Sequence, residues 1–112
     1  MDNQHALPAF DLALALQRAN GSQALVDELQ GILRSDLKVQ GDAMDMAGRS
    51  GDLTRLYEIA HKIHGGSLYC GNPALEEATF ELEKALREDK PFQSALQATL
   101  SAIDELLLME NV

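Results

Sequence analysis

Residues 60–71 read Ala-His-Lys-Ile-His-Gly-Gly-Ser-Leu-Tyr-Cys-Gly. They continue a helical pattern whose apolar positions are Leu53, Leu56, Ile59, Ala60, Ile63 and, further on, Cys70. His61 is two residues from both Ile59 and Ile63, about 200° of rotation from each at ~100° per residue. Its imidazole therefore projects away from the apolar stripe, on the side shared by Tyr57, His64, Gly65 and Leu68. Glycine in a helix interior is about 1 kcal/mol worse than alanine, and Gly65-Gly66 places two in succession. Close helix packing accounts for Gly66, which lies nearer the apolar side. Gly65 lies one turn from His61 on the outward face, where packing gives no reason to omit a side chain. A histidine turned to water with cleared space beside it contributes little to a core. It suits a group delivered by another protein.

Working outward, Asp52 caps this helix, and Gly71-Asn72-Pro73 ends it. Asn72 is then the N-cap of the next helix and Pro73 lies in its first turn. That fourth helix buries Leu75, Ala78, Leu82 and Leu86, with Glu76 and Glu77 near its positive N-terminus. A break at Asp89-Lys90-Pro91 leads to a last helix with Phe92, Leu96, Leu100, Ile103 and Leu107 inward. Upstream, a short helix over residues 10–19 stops at Asn20-Gly21, a pair suited to the left-handed cap. Ser22 caps a second helix running to about residue 47, with Leu25, Leu29, Ile32, Leu33, Leu37 and Met44 along its stripe. Gly48-Arg49-Ser50-Gly51 reads as a turn, and the methionines read as core filler. Short links between amphipathic helices imply antiparallel neighbours. The expected fold is all-α: an antiparallel up-and-down four-helix bundle with a short additional N-terminal helix across one end as a lid.

The chain has 112 residues, enough for one core, and is read as a single domain over residues 1–112. Apolar residues make up 46% and aromatics only 4%, so the core rests on Leu and Ala, which favour helices. A net charge of −9 argues against nucleic acid, whose binding rests on Lys and Arg neutralising phosphates. It also disfavours direct contact with anionic membranes. The single cysteine, Cys70, allows no intrachain disulfide and reads as a small core residue. Neither a signal-peptide pattern nor an apolar run of membrane-spanning length is evident, so the cytoplasm is the expected location.

The stretch around His61 resembles the phosphoacceptor motif of histidine-containing phosphotransfer (HPt) domains, His-x-x-Lys/Arg-Gly with a further glycine downstream. The motif falls on His61, His64, Gly65 and Gly71. His64 stands where the basic residue is usual, a departure from the commonest version. With Tyr69-Cys70-Gly71, the stretch is most similar to the C-terminal modules of tripartite hybrid sensor kinases of the BarA/GacS type. The resemblance implies a carrier rather than an enzyme. His61 would take a phosphoryl group from a receiver-domain aspartate and pass it on within a two-component phosphorelay. The receiver domains of a hybrid sensor kinase and of a response regulator would be the partners. This chain would need no cofactor of its own, Mg²⁺ being supplied by the receiver domain. Lys62, His64, Gly65, Tyr57 and Leu68 would border the docking surface, Lys62 and His64 also offsetting phosphoryl charge. Glu83, on the fourth helix, would accept a bond from the His61 Nδ1–H and favour attack through Nε2.

The residues themselves leave other readings open. His61 and His64 fall short of the four ligands that zinc usually takes, so no metal site is expected. A non-catalytic helical adaptor would use the same face only to bind. A dimeric histidine-kinase core does not fit five short-linked segments, and a monomer is expected. Tyr69 is equally compatible with the core and with an apolar docking patch. His5 is assigned no role.

Overall fold

The computed structural model describes residues 7–109. Five helices follow in order: α1 (Leu12–Arg18), α2 (Gln23–Ser50), α3 (Leu53–Ser67), α4 (Pro73–Arg87) and α5 (Gln93–Met109). Helices α2 to α5 form an up-and-down bundle in which each packs on its neighbours, α2 against α3, α3 against α4, α4 against α5 and α5 back against α2. Leu37, Met44, Leu56, Leu75, Leu82 and Leu106 are fully buried at its centre.

Local chemistry sets the helix starts. Asp11, Ser22 and Asp52 each accept a hydrogen bond from the backbone N–H three residues on, satisfying donors that the first turn leaves open. Helix α1 therefore begins at Leu12, two residues later than the pattern of apolar residues indicates. Phe10 lies before it and packs on the core. Asn72 occupies the cap position of α4 but makes no capping bond. Its amide donates instead to the Ala9 carbonyl, and its oxygen accepts from Gln30, whose amide also donates to the Cys70 carbonyl. This buried network ties α2 to the α3–α4 connection.

The lid expectation holds for α1. The Asp11 N–H donates to the Gly71 carbonyl, Ala15 packs on Gly71, and Arg18 bonds the Leu68 carbonyl and the Glu76 carboxylate. Gly71 has φ +74°, and a Cβ there would lie 2.8 Å from the Ala15 backbone nitrogen. Both conformation and space demand glycine.

Several readings of the sequence need correction. Helix α2 continues through Gly48, Arg49 and Ser50 and ends at Gly51 in the left-handed conformation. Gly48 is helical, and the Leu96 side chain of α5 fills the space where its own would be. The α2 core face is Val26, Gln30, Leu33, Leu37, Met44 and Ala47. Leu25 and Ile32 instead face outward, together with Val39 and Met46. Apolar residues on both sides of α2 hide its phase, and packing against α3 and α5 selects one. Leu53 is exposed, as are Met46 and Met109, whereas Met44 is core. Helix α3 ends at Ser67, so Cys70 is buried beyond the helix rather than on it. Burial pushes the Cys70 thiol pKa up, against the lowering effect of Arg18 nearby. Helix α5 buries Thr99, Ala102, Ile103 and Leu106, leaving Leu96, Leu100 and Leu107 half-buried against the core and Phe92 just before the helix. Tyr69 is exposed, which removes its core reading. Met1 and His5 lie outside the described residues.

Candidate functional site

Helix α3 presents His61 at mid-length, with Leu56, Ile59, Ala60 and Ile63 holding its opposite face in the core. The His61 side chain is 70% exposed, while Glu83 on α4 is 5% exposed. Glu83 Oε1 lies 2.7 Å from His61 Nδ1 in a hydrogen bond. An ionised Glu83 can only accept, and a neutral imidazole bonded to it in this geometry has its proton on Nδ1. In the neutral ring that leaves the lone pair on Nε2. That nitrogen lies on the exposed edge of the ring.

Tyr57, one turn before His61 on α3, stacks its ring nearly parallel to the imidazole, with centroids 6.0 Å apart and planes 9° apart. His64 leans toward α4 rather than into water. Its Nδ1 lies 2.8 Å from Glu83 Oε2, its side chain is 21% exposed, and its ring tilts against Phe80. Glu83 therefore faces two imidazoles, one at each oxygen. Phe80, three residues before Glu83 on α4, was not singled out from the sequence. Its place on the same helix face as Glu83 is the one available signal.

Lys62 is exposed on α3 beside His61, and Leu68 is exposed at the helix end. A Cβ at Gly65 would meet nothing within 4 Å. Packing does not require glycine there. Gly66 does not fit the packing explanation given above. It is exposed, and a Cβ there would make only an ordinary contact at 3.9 Å with Leu33. Among the described residues, no group of three or more His, Cys, Asp or Glu is arranged to hold a metal ion. The site therefore gathers Tyr57, His61, His64 and Glu83 into one contact cluster. Lys62, Gly65 and Leu68 flank it.

Residues 7–110 match the family model described as "Hpt domain". The chain belongs to the Hpt domain family. It is a phosphotransfer module of the kind found in hybrid sensor kinases, and its helical bundle is that of a solved relative. The crystal structure of the HPt domain from a hybrid histidine kinase of Shewanella superposes with a TM-score of 0.79 at 28% identity, covering 92% of this chain and 88% of that one. The sensor protein GacS of Pseudomonas syringae pv. syringae is 30% identical over 76 residues, 68% of this chain. The sensor histidine kinase GacS of Pseudomonas protegens is 28% identical over 100 residues, 89% of this chain. The matches span only 8% and 10% of those two proteins.

Proposed function

We propose that His61 is the phosphorylated residue of this Hpt domain and that it shuttles a phosphoryl group between receiver-domain aspartates. The observation that carries the reading is an exposed imidazole whose inner nitrogen is bonded to a buried carboxylate. The Nε2 lone pair attacks the phosphorus of an aspartyl phosphate. The N–P bond forms as the P–O bond breaks, and the aspartate leaves as its carboxylate. The ring now holds both the phosphoryl group on Nε2 and the proton on Nδ1, so it is cationic. The Glu83 carboxylate offsets that charge, as a fixed counter-charge does for any imidazolium formed during a reaction. Reversal on a second receiver domain returns the ring to its starting state.

Phosphoryl transfer depends mainly on positioning and charge stabilisation, and the receiver domain contributes the acidic pocket and Mg²⁺. The chain is then a carrier with no cofactor of its own, working in the cytoplasm where response regulators act. The receivers of a hybrid sensor kinase and of a response regulator are its partners. Tyr57, Lys62, Gly65 and Leu68 form the surface against which a receiver seats, and Lys62 adds positive charge beside the phosphoryl group.

The test is incubation with phosphorylated receiver domains. Label should move to the wild-type chain as an acid-labile, alkali-stable adduct. It should be absent from His61→Gln, whose helical circular dichroism should match wild type. A phosphorylated His61→Gln chain contradicts the assignment. Binding of the receiver without any label transfer identifies an adaptor instead.

A further inference from the structure

We infer that His64 is a positioning residue that acts through Glu83, keeping that carboxylate a proton acceptor so that the lone pair of His61 stays on Nε2. The inference rests on the phosphoacceptor reading of His61 and adds to it the reason for a histidine at position 64.

The argument starts from burial. Glu83 is almost wholly enclosed, and among the described residues its oxygens have only the two imidazoles within ion-pair distance, His61 Nδ1 at Oε1 and His64 Nδ1 at Oε2. A carboxylate removed from water holds its charge only where protons or cations face its oxygens. His61 supplies one oxygen. The other depends on His64, whose Nδ1 at 2.8 Å is too close for two lone pairs to face each other. With Glu83 ionised, that nitrogen carries a proton toward it. Phe80, also on α4, tilts against the His64 ring.

The consequence reaches His61. With His64 present, Glu83 accepts and His61 donates from Nδ1, which leaves Nε2 to attack. Without it, one buried oxygen faces no donor, and an enclosed carboxylate lacking a donor at one oxygen is costly to keep charged. A protonated Glu83 donates its O–H to Nδ1. The single proton of the neutral His61 ring then resides on Nε2, where it blocks attack on phosphorus. The same two residues in the same places give a nucleophile or a blocked ring according to one proton. This separates His64 from a group that merely offers charge to the phosphoryl oxygens, because its effect is present before any phosphoryl group arrives.

Two measurements test this on the full chain. The first is the tautomer of His61 in the unphosphorylated ¹⁵N-labelled protein at neutral pH, read from long-range ¹H–¹⁵N correlations. The second is the rate of phosphotransfer from a phosphorylated receiver domain. Wild type should show His61 with its proton on Nδ1. His64→Phe, which keeps an aromatic ring against Phe80, should move the proton to Nε2 and slow transfer at least tenfold. His64→Lys, which restores a cation opposite Oε2, should keep the wild-type tautomer and recover most of the rate. In a Glu83→Gln background no carboxylate remains for His64 to act through, so adding His64→Phe should cause no further loss. His64→Leu replaces His64→Phe in all comparisons if the latter lacks wild-type circular dichroism. A wild-type tautomer in the apolar variant, or an equal slowing with and without Glu83, overturns the inference. Absence of any transfer to wild type would instead refute the carrier reading, while the tautomer comparison still decides the role of His64.

Discussion

Single residues divide here into those that the fold needs and those that it merely tolerates. Gly71 belongs to the first group: its positive φ and the Ala15 backbone 2.8 Å from any Cβ leave no room for alanine. Gly71→Ala is expected to destabilise the protein by on the order of 2 kcal/mol, measured as a lower urea midpoint with unchanged slope. Unchanged stability would mean that the α1 contact with the α3–α4 connection yields freely. Gly65 belongs to the second group. Nothing lies within 4 Å of its absent side chain, so Gly65→Ala should be equally or more stable, gaining up to about 1 kcal/mol from helix propensity. The proposed reason for the glycine is access. A receiver loop must reach Nε2 closely, and a misplacement of about 1 Å can cost on the order of a hundredfold in rate. Gly65→Gln should therefore slow phosphotransfer strongly in a bundle that remains folded. Wild-type transfer in that variant would remove access as the explanation. The outward position of His61 could be read from spacing to Ile59 and Ile63 alone. The leaning of His64 onto α4 could not, because it depends on Phe80 and Glu83 lying across the helix interface.

Helices were legible in the sequence in proportion to the clarity of their ends and faces. Asp52 and Ser22 announce the starts of α3 and α2, and Pro73 announces α4, because each meets a geometric requirement of a first turn. The α3 phase was plainer, since Leu56, Ile59, Ala60 and Ile63 are all buried on one side and Leu53, in the first turn, is the one stripe residue of the helix left exposed. Helix α2 carries apolar residues on two sides, and no local rule distinguishes Leu25 and Ile32, which are exposed, from Val26 and Leu33, which are buried. Its C-terminal turn was obscured by Gly48. That residue looks like a breaker along the chain, yet it sits in the helix, with Leu96 of α5 in the space a side chain would take. Asn72 shows the same limit in another form. Its type and position suit a helix cap, but the buried Gln30 amide and the Ala9 carbonyl claim its side chain. Contacts between elements decide these cases, and they are invisible to any window on one element.

At the scale of the whole molecule, the bundle places a packed pair of helices behind one exposed ring. Helices α3 and α4 pack closely along their length, which fixes the register that brings Glu83 under His61. Sequence could nominate Glu83 only through family resemblance, since register between helices is a property of the assembled core. No described helix is long and apolar enough to cross a membrane, and the four long helices share one internal core to which α2 turns only one of its two apolar sides. A monomer is the expectation, with Leu25, Ile32, Val39 and Met46 of α2 left to solvent. Sedimentation at micromolar concentration should give the monomer mass, and a tight dimer would contradict that expectation. The central claim, that His61 Nε2 carries the phosphoryl group, is tested most directly by ³¹P–¹⁵N correlation on the phosphorylated, ¹⁵N-labelled chain. One adduct is predicted, with phosphorus bonded to Nε2 of His61 and the proton retained on Nδ1. Phosphorus on Nδ1, or on any residue other than His61, would contradict the account.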